Sequence, residues 1–582
     1  MAASPRLATL KSTHPGAGPL RKGPGSFLTP LVFRPRPHAS CRRLAAAALA
    51  SLAWACAGQA LAQQAAAAPR FDILEFEVEG NTVLSAVAVE RAVMPFMGPQ
   101  RNVDDAEAAR TALEKAYQSA GYLSVFVDLP EQRVDSGVVR LKVIEGRVDR
   151  LAVTGSRYFD QGRIRERVAE LAPGKVPNFN EVQKQLATVN TTEDHQVQPI
   201  LRPGRLPGTV EAELQVKDRL PLSGSFEVSN ANSANTTAER ATASIRYDNL
   251  WQLGHSIGLT LTTAPTEPSQ TTVSVLSYGV PLDGGNSLSA YAVHSNSNVN
   301  ALGGTQVLGN GNTLGLRYGI NLGATERSVQ SASLGFDYRD VRQQIKLGDS
   351  GISKPLRYLP LQAGYTANWF NPGRQGQFTL ALTVGLKPLL ARRIGGCELE
   401  DGSIGVDDQF RCSRKGADGG FSTLRFDLRH TEVFADFSVA GRLGGQIASQ
   451  PLTSAEQFVL GGADSVRGYH ESAAVGDHGL LASLELRSAN FASWLQRHHP
   501  GDAFKDLGEL SVLAFVDAGE LQTLNPAPGQ NLRQPLLGSG VGVRFASRSG
   551  VTLDLQVADA HRAIAGAPKP GRRAHARMAV KF

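Results

Sequence analysis

Arg467 stands in the run Gly461-Gly462-Ala463-Asp464-Ser465-Val466-Arg467-Gly468-Tyr469. A guanidinium offers five donors in a planar fork and is suited to gripping a carboxylate. Flanking glycines let a hairpin tip turn sharply and come close to another surface. A second run, Phe515-Val516-Asp517-Ala518-Gly519, sets an aromatic ring and a carboxylate two residues apart. On a strand both would point to the same face. Taken alone, Arg-Gly-Tyr is equally at home in an ordinary surface turn. Cys397 and Cys412 lie in a Gly/Asp-rich stretch with no His or second Cys pair nearby. A disulfide therefore suits them better than a metal site, and closing that loop would stabilise it by roughly 3 kcal/mol. The chain has no G-x-x-x-x-G-K-[ST] run and no H-E-x-x-H, so neither a nucleotide nor a metal cofactor is expected. His498-His499 is expected to face solvent.

These residues sit in a chain of 582 residues, long enough for two to four domains. Its mean hydropathy of −0.17 does not suit a helical membrane protein. The formal charge is +7, which could suggest nucleic acid. The excess is local, however. Residues 1–62 carry eight Lys/Arg and no Asp/Glu, which leaves 52 basic against 53 acidic side chains in the remainder. No nucleic-acid partner is expected. Arg42-Arg43, the Ala/Leu-rich run Leu44–Ala57 and Ala60-Leu61-Ala62 have the layout of a secretory signal peptide ending at 62. Export leads to an oxidising compartment, which agrees with a Cys397–Cys412 bridge.

After a short linker (63–70), two segments share the order strand-helix-helix-strand-strand, at 71–146 and 147–219. An internal repeat of this kind marks duplicated α+β modules. Glu79-Gly80-Asn81-Thr82, Gly121-Tyr122 and Val143-Ile144-Glu145-Gly146 in the first resemble POTRA domains, the periplasmic modules of outer-membrane insertases and translocases.

From 220 to 582 short alternating segments predict a 16-stranded antiparallel transmembrane β-barrel. Long connections such as 387–419 alternate with short ones such as 432–435, as expected of outer loops and periplasmic turns. The connection 490–507 breaks the alternation. The seventh and eighth strands are expected at 328–338 and 358–369. The last strand ends on Phe582, which resembles the signal read by the barrel-assembly machinery.

The run Val466-Arg467-Gly468-Tyr469, in the connection 449–477, resembles the sixth-loop tip of two-partner secretion transporters of the haemolysin secretion/activation (TpsB) type. Phe515, Asp517 and Gly519 resemble the inner-wall motif of that family. The resemblance implies that this loop folds into the lumen and that Arg467 contacts Asp517. Phe515 is then expected beneath the loop. It further implies a bacterial outer-membrane pore with POTRA modules in the periplasm, embedded in outer-membrane lipid and working as a monomer. Its partner would be a large secreted (TpsA-type) exoprotein, exported and in some cases activated. The client strand is expected to add to the first module at Tyr122, Leu123, Val125 and Val127. No plug helix is expected in 63–70, which leaves the sixth loop as the main internal obstruction. An outer-membrane assembly or insertion factor of the same superfamily is the alternative. A solute porin, which needs no POTRA modules, and an enzyme, for which no catalytic constellation is present, come after it.

Overall fold

The computed structural model describes residues 70–190, 194–234, 236–297, 309–347, 350–399, 401–498, 505–526, 530–564 and 571–582. The leader (1–62) and residues 63–69 of the linker lie outside them. The chain divides into two compact units. One holds the described residues up to Ser156 with Gln161–Lys217, and the other holds Arg157–Asp160 and Asp218–Phe582.

The first unit contains β1 (Phe71–Ile73), β2 (Glu75–Glu79), α1 (Ala86–Val93), β3 (Gly98–Arg101), α2 (Val103–Ser119), β4 (Val125–Asp128) and β5 (Val138–Glu145). A second set follows: β6 (Arg147–Thr154), α3 (Gln161–Arg167), α4 (Phe179–Val189), β7 (His195–Pro203) and β8 (Thr209–Asp218). The sheets run β2-β5-β4 and β6-β8-β7, with a parallel pair first in each. β1 and β3 form an extra two-stranded sheet in the first set.

Helix α2 begins where Asn102 accepts the Asp105 N–H (2.9 Å) and Asp105 accepts the Asn102 N–H (3.0 Å), which satisfies two donors that a helix start leaves free. Its stripe Ala106, Ala109, Leu113 and Tyr117 is buried, and Leu113 and Tyr117 pack on Val125, Val127, Leu141 and Val143. The turn after β2 is tied to the end of β5. Glu145 accepts the Thr82 N–H (2.6 Å), the Val83 N–H (3.1 Å) and the Thr82 hydroxyl. Tyr117 donates to Asn81 at 2.6 Å. Burial, then the nearby Glu145 charge, pushes the Tyr117 hydroxyl well above its ordinary value, so it remains a donor. Gly80 has φ +85°, and a Cβ there would meet the Val143 carbonyl oxygen at 2.4 Å, so both the turn and the close approach require glycine.

The second unit is a closed antiparallel barrel. Its wall comprises β9 (Leu222–Ser229), β10 (Arg240–Leu250), β11 (His255–Thr263), β12 (Thr271–Pro281), β13 (Ser287–Ser297), β14 (Gly309–Thr325), β15 (Ser328–Leu347), β16 (Ser350–Tyr358), β17 (Pro360–Asn371) and β18 (Arg374–Gly385). After a hairpin, β19 (Arg393–Glu398) and β20 (Ile404–Asp408), and helix α5 (Gln409–Ser413), the wall resumes with β21 (Ser422–Val433) and β22 (Phe437–Ala448). A second hairpin, β23 (Phe458–Leu460) and β24 (Ala474–Gly476), precedes β25 (His478–Ser488). Helix α6 (Ala492–His498), β26 (Leu507–Gln522), β27 (Arg533–Ser547), β28 (Val551–Ala560) and β29 (Arg572–Lys581) complete the chain. β29 pairs with β9 from Arg577↔Ser229 to Lys581↔Ser225 and closes the ring.

β16 and β17 are two parts of one strand, interrupted at Leu359, and both pair with β15. The wall therefore has sixteen strands. Closure leaves no sheet edge, as lipid requires. Side chains alternate. Leu259, Leu276, Leu314, Phe336, Leu484 and Met578 are exposed on the outer face. Polar pairs such as Thr242–Thr262 (2.9 Å) and Arg544–Asp554 (2.5 Å) lie on the inner one.

Three segments differ from the sequence expectation. The seventh and eighth strands extend to Leu347 and back from Ser350. Past Tyr338 the outward positions become Asp340 and Arg342, so the apolar alternation stops while the hydrogen-bond ladder continues. Arg357 pairs with Asp340 across it (2.8 Å). The connection 387–419 is not an open loop but carries β19, β20 and α5, and the Cys397–Cys412 disulfide is formed within it. The exceptional connection 490–507 contains α6, which folds back on the wall through Phe491 N–H to the Leu510 carbonyl and Gln496 to the Leu507 carbonyl, each 2.8 Å. His498 there is exposed and bonds the Trp494 carbonyl at 2.9 Å; His499 lies outside the described residues.

Candidate functional site

The segment between β22 and β25 lies against the inner face of the wall. Its tip turns at Gly461 and Gly462, both with positive φ, and presents Arg467. Arg467 Nε donates to Asp517 Oδ2 at 2.7 Å and Nη2 to Asp517 Oδ1 at 2.8 Å. Its backbone N–H adds a third bond to Oδ2 at 3.0 Å. Arg467 Nη1 reaches Glu485 (2.9 Å) and Gln556 (3.3 Å). The guanidinium lies over the Phe515 ring, 3.3 Å from its centroid. Phe515 thus forms the floor of the site.

Strand parity supplies this arrangement. Phe515 and Asp517 share the inward face of β26, and Asp517 stands opposite Ser483 on β25 and Gly538 on β27. The Ser483 hydroxyl donates to Asp517 Oδ1 at 2.6 Å and so fixes that carboxylate. A Cβ on Gly538 would lie 2.0 Å from the Arg467 carbonyl oxygen, so the wall is bare where the loop touches it. Gly519 gives similar room to Leu460 and Val466.

The neighbours of Arg467 are held as well. Val466 is buried with Leu460, Tyr469, Leu481, Leu521 and Leu536. The Gly468 N–H donates to His575 Nε2 on β29 at 3.0 Å. The Tyr469 hydroxyl donates to the Arg562 carbonyl at 2.8 Å. A bidentate pair that is also held by further donors is far more demanding in geometry than a lone surface contact.

Ser483, Glu485, Gln556, His575 and Gly538 escaped the sequence reading. The only signal was a polar or glycine residue at inward parity between outward, mostly apolar neighbours. Phe582 follows β29 and bonds Gly224 in both directions, N–H to carbonyl at 3.1 Å and 3.0 Å. Its ring is exposed.

In the first module, β4 is a sheet edge. Val125 and Val127 point into the core, Tyr122 is half-buried, and Leu123 and Phe126 are exposed. A client could touch Val125 and Val127 only through their backbone. The Val127 backbone is itself engaged: its N–H donates to Glu114 and its carbonyl accepts from Arg110, both at 3.2 Å. Arg110 and Glu114 pair with each other at 3.1 Å.

The pattern described as haemolysin secretion/activation protein ShlB/FhaC/HecB matches residues 208–545, more than half of the chain. The chain belongs to this haemolysin secretion/activation family. The ShlB-type POTRA domain pattern matches residues 71–146. Among named relatives, the outer membrane transporter CdiB of Dickeya dadantii is 23% identical over 522 residues, covering 84% of this chain and 82% of that protein. CdiB of Escherichia coli is 25% identical over 181 residues, but the match spans only 30% of that protein's length and 31% of this chain. The solved structure of CdiB from Escherichia coli shares the fold, with a TM-score of 0.53 at 19% identity, covering 89% of this chain and 92% of that one. As a member of the haemolysin secretion/activation family with a closed barrel, the protein resides in the bacterial outer membrane, with its POTRA domain in the periplasm.

Proposed function

We propose that this protein is a translocation pore that secretes a large partner exoprotein by two-partner secretion. The observation that carries this reading is the Arg467–Asp517 clasp, which holds a long loop inside a barrel whose chain also carries POTRA modules. A solute porin has no use for such modules. A loop seated in the lumen through buried ionic contacts has a defined place from which a passing client must move it. The role is transport and not catalysis, with no cofactor and no nucleic acid.

The client enters the periplasm unfolded after export of the protein itself through a leader at 1–62. It adds to the β4 edge through backbone bonds, with Leu123 and Phe126 as the side chains it meets. Phe582 serves the barrel-assembly machinery during insertion, and the mature protein works as a monomer in outer-membrane lipid. Co-expression with a candidate large exoprotein tests the reading. Wild type should release the exoprotein into the medium, and Arg467→Ala should lower release by at least about tenfold, since leaving buried Asp517 unpaired costs about 3 kcal/mol or more and takes from the loop the seat from which a client displaces it in register. Equal release by both would remove the loop from the mechanism.

A further inference from the structure

Arg467 is not the only cation that grips the sixth loop. At the loop's root, where it rejoins the wall, Asp477 is fully buried. Arg414 forms a bidentate pair with it, Nη1 to Oδ1 and Nη2 to Oδ2, each 2.6 Å. Asp477 also accepts the N–H groups of Leu452 (2.9 Å) and Leu524 (2.6 Å) and a bond from Gln457 (3.2 Å). Arg414 in turn donates to the carbonyls of Leu452 (2.6 Å) and Leu524 (2.8 Å). This one pair joins three connections at the long-loop end of the barrel. Arg414 comes from 387–419, Leu452, Gln457 and Asp477 from 449–477, and Leu524 from the connection after β26.

Two further features place Arg414. It caps α5, where its N–H bonds the Phe410 carbonyl, and Cys412, two residues earlier, is bridged to Cys397 on β19. Beside the pair, Phe410 and Ala417 of the same stretch, with Phe421 just after it, pack with Leu452 and Ala455 of the sixth loop. An arginine whose charge, fork and backbone are all fixed is pre-organised for its carboxylate.

We propose that Arg414 and Asp477 are a second pair of positioning residues for the sixth loop, a clasp at its root, and that the Cys397–Cys412 bridge holds Arg414 ready to make it. The loop leaves the lumen only when both the tip clasp at Arg467 and the root clasp at Arg414 open. The stapled stretch 387–419 thereby acts as the outer latch of the pore. The inference rests on the reading of the sixth loop as the obstruction in the lumen.

Planar-bilayer conductance of the purified full-length protein tests this without any client, so its failure is distinguishable from failure of the secretion reading. Arg414→Ala should raise the open fraction at least about tenfold, because a buried ion pair stripped of one partner shifts a two-state equilibrium by more than that factor. Arg414→Lys, which keeps charge but loses the fork, should fall between the two. Reducing the disulfide with dithiothreitol should raise the open fraction of wild type and leave Arg414→Ala unchanged. Heat-modifiable gel migration confirms an assembled barrel, and Asp477→Asn replaces Arg414→Ala if the latter does not assemble. An assembled Arg414→Ala or Asp477→Asn barrel with wild-type conductance would overturn the root clasp. Wild-type conductance indifferent to dithiothreitol would overturn the role of the disulfide.

Discussion

The buried Arg467 fork satisfies Asp517 and Glu485 at once, and Ser483 orients the carboxylate between them. Such a pair need not add stability over an apolar contact, but it is costly to break and therefore defines where the loop sits. The fit also depends on what is missing from the wall. Gly538→Val would drive side-chain atoms into the Arg467 carbonyl, a backbone atom that cannot swing aside. It should weaken docking of the loop by about 2 kcal/mol, as overpacking does, while the barrel still assembles. Higher conductance with normal heat-modifiability is the expected outcome, and unchanged conductance would show that the loop does not press on β27. Arg467, Asp517 and Phe515 were legible in the sequence because their motifs stand out. Glu485, Gln556 and Gly538 were not, because a single polar or glycine residue on an alternating strand carries no mark of what it faces.

At the scale of elements, the apolar alternation disclosed most of the wall and the period of the repeat disclosed the two α+β sets that precede it. It did so because burial and lipid exposure write themselves into the pattern. The misses share a cause. The upper parts of β15 and β16 stand on pairings that need no apolar face, and β19, β20 and α5 are too short for a period to show. The β4 edge is a related case. Its side chains Val125 and Val127 belong to the core, and the Val127 backbone is already occupied by Arg110 and Glu114, which no pattern in the sequence discloses. That pair stands in for a strand and must move before a client can add. Replacing both residues by Ala should therefore tighten binding of an unfolded client segment about three- to tenfold, the net worth of one or two hydrogen bonds. Fluorescence anisotropy with a labelled segment measures this. Weaker binding would mean that the pair contacts the client instead of masking the edge.

For the whole molecule, the alternation of faces separates two environments along every strand. Leu259 points to lipid, and Thr260 beside it points to the lumen, in line with the polar Thr242–Thr262 pair. Sixteen strands enclose a lumen wide enough for an extended chain once its loop is out of the way. Site-specific photo-crosslinking tests the passage of a client directly. A photoreactive amino acid is placed at position 260 in one protein and at position 259 in another, and the partner exoprotein is stalled in transit by a fused, rapidly folding domain. An exoprotein adduct should form from position 260 and be absent from position 259. Adducts only from 259, or none from 260 while the exoprotein is still released, would contradict translocation through the barrel.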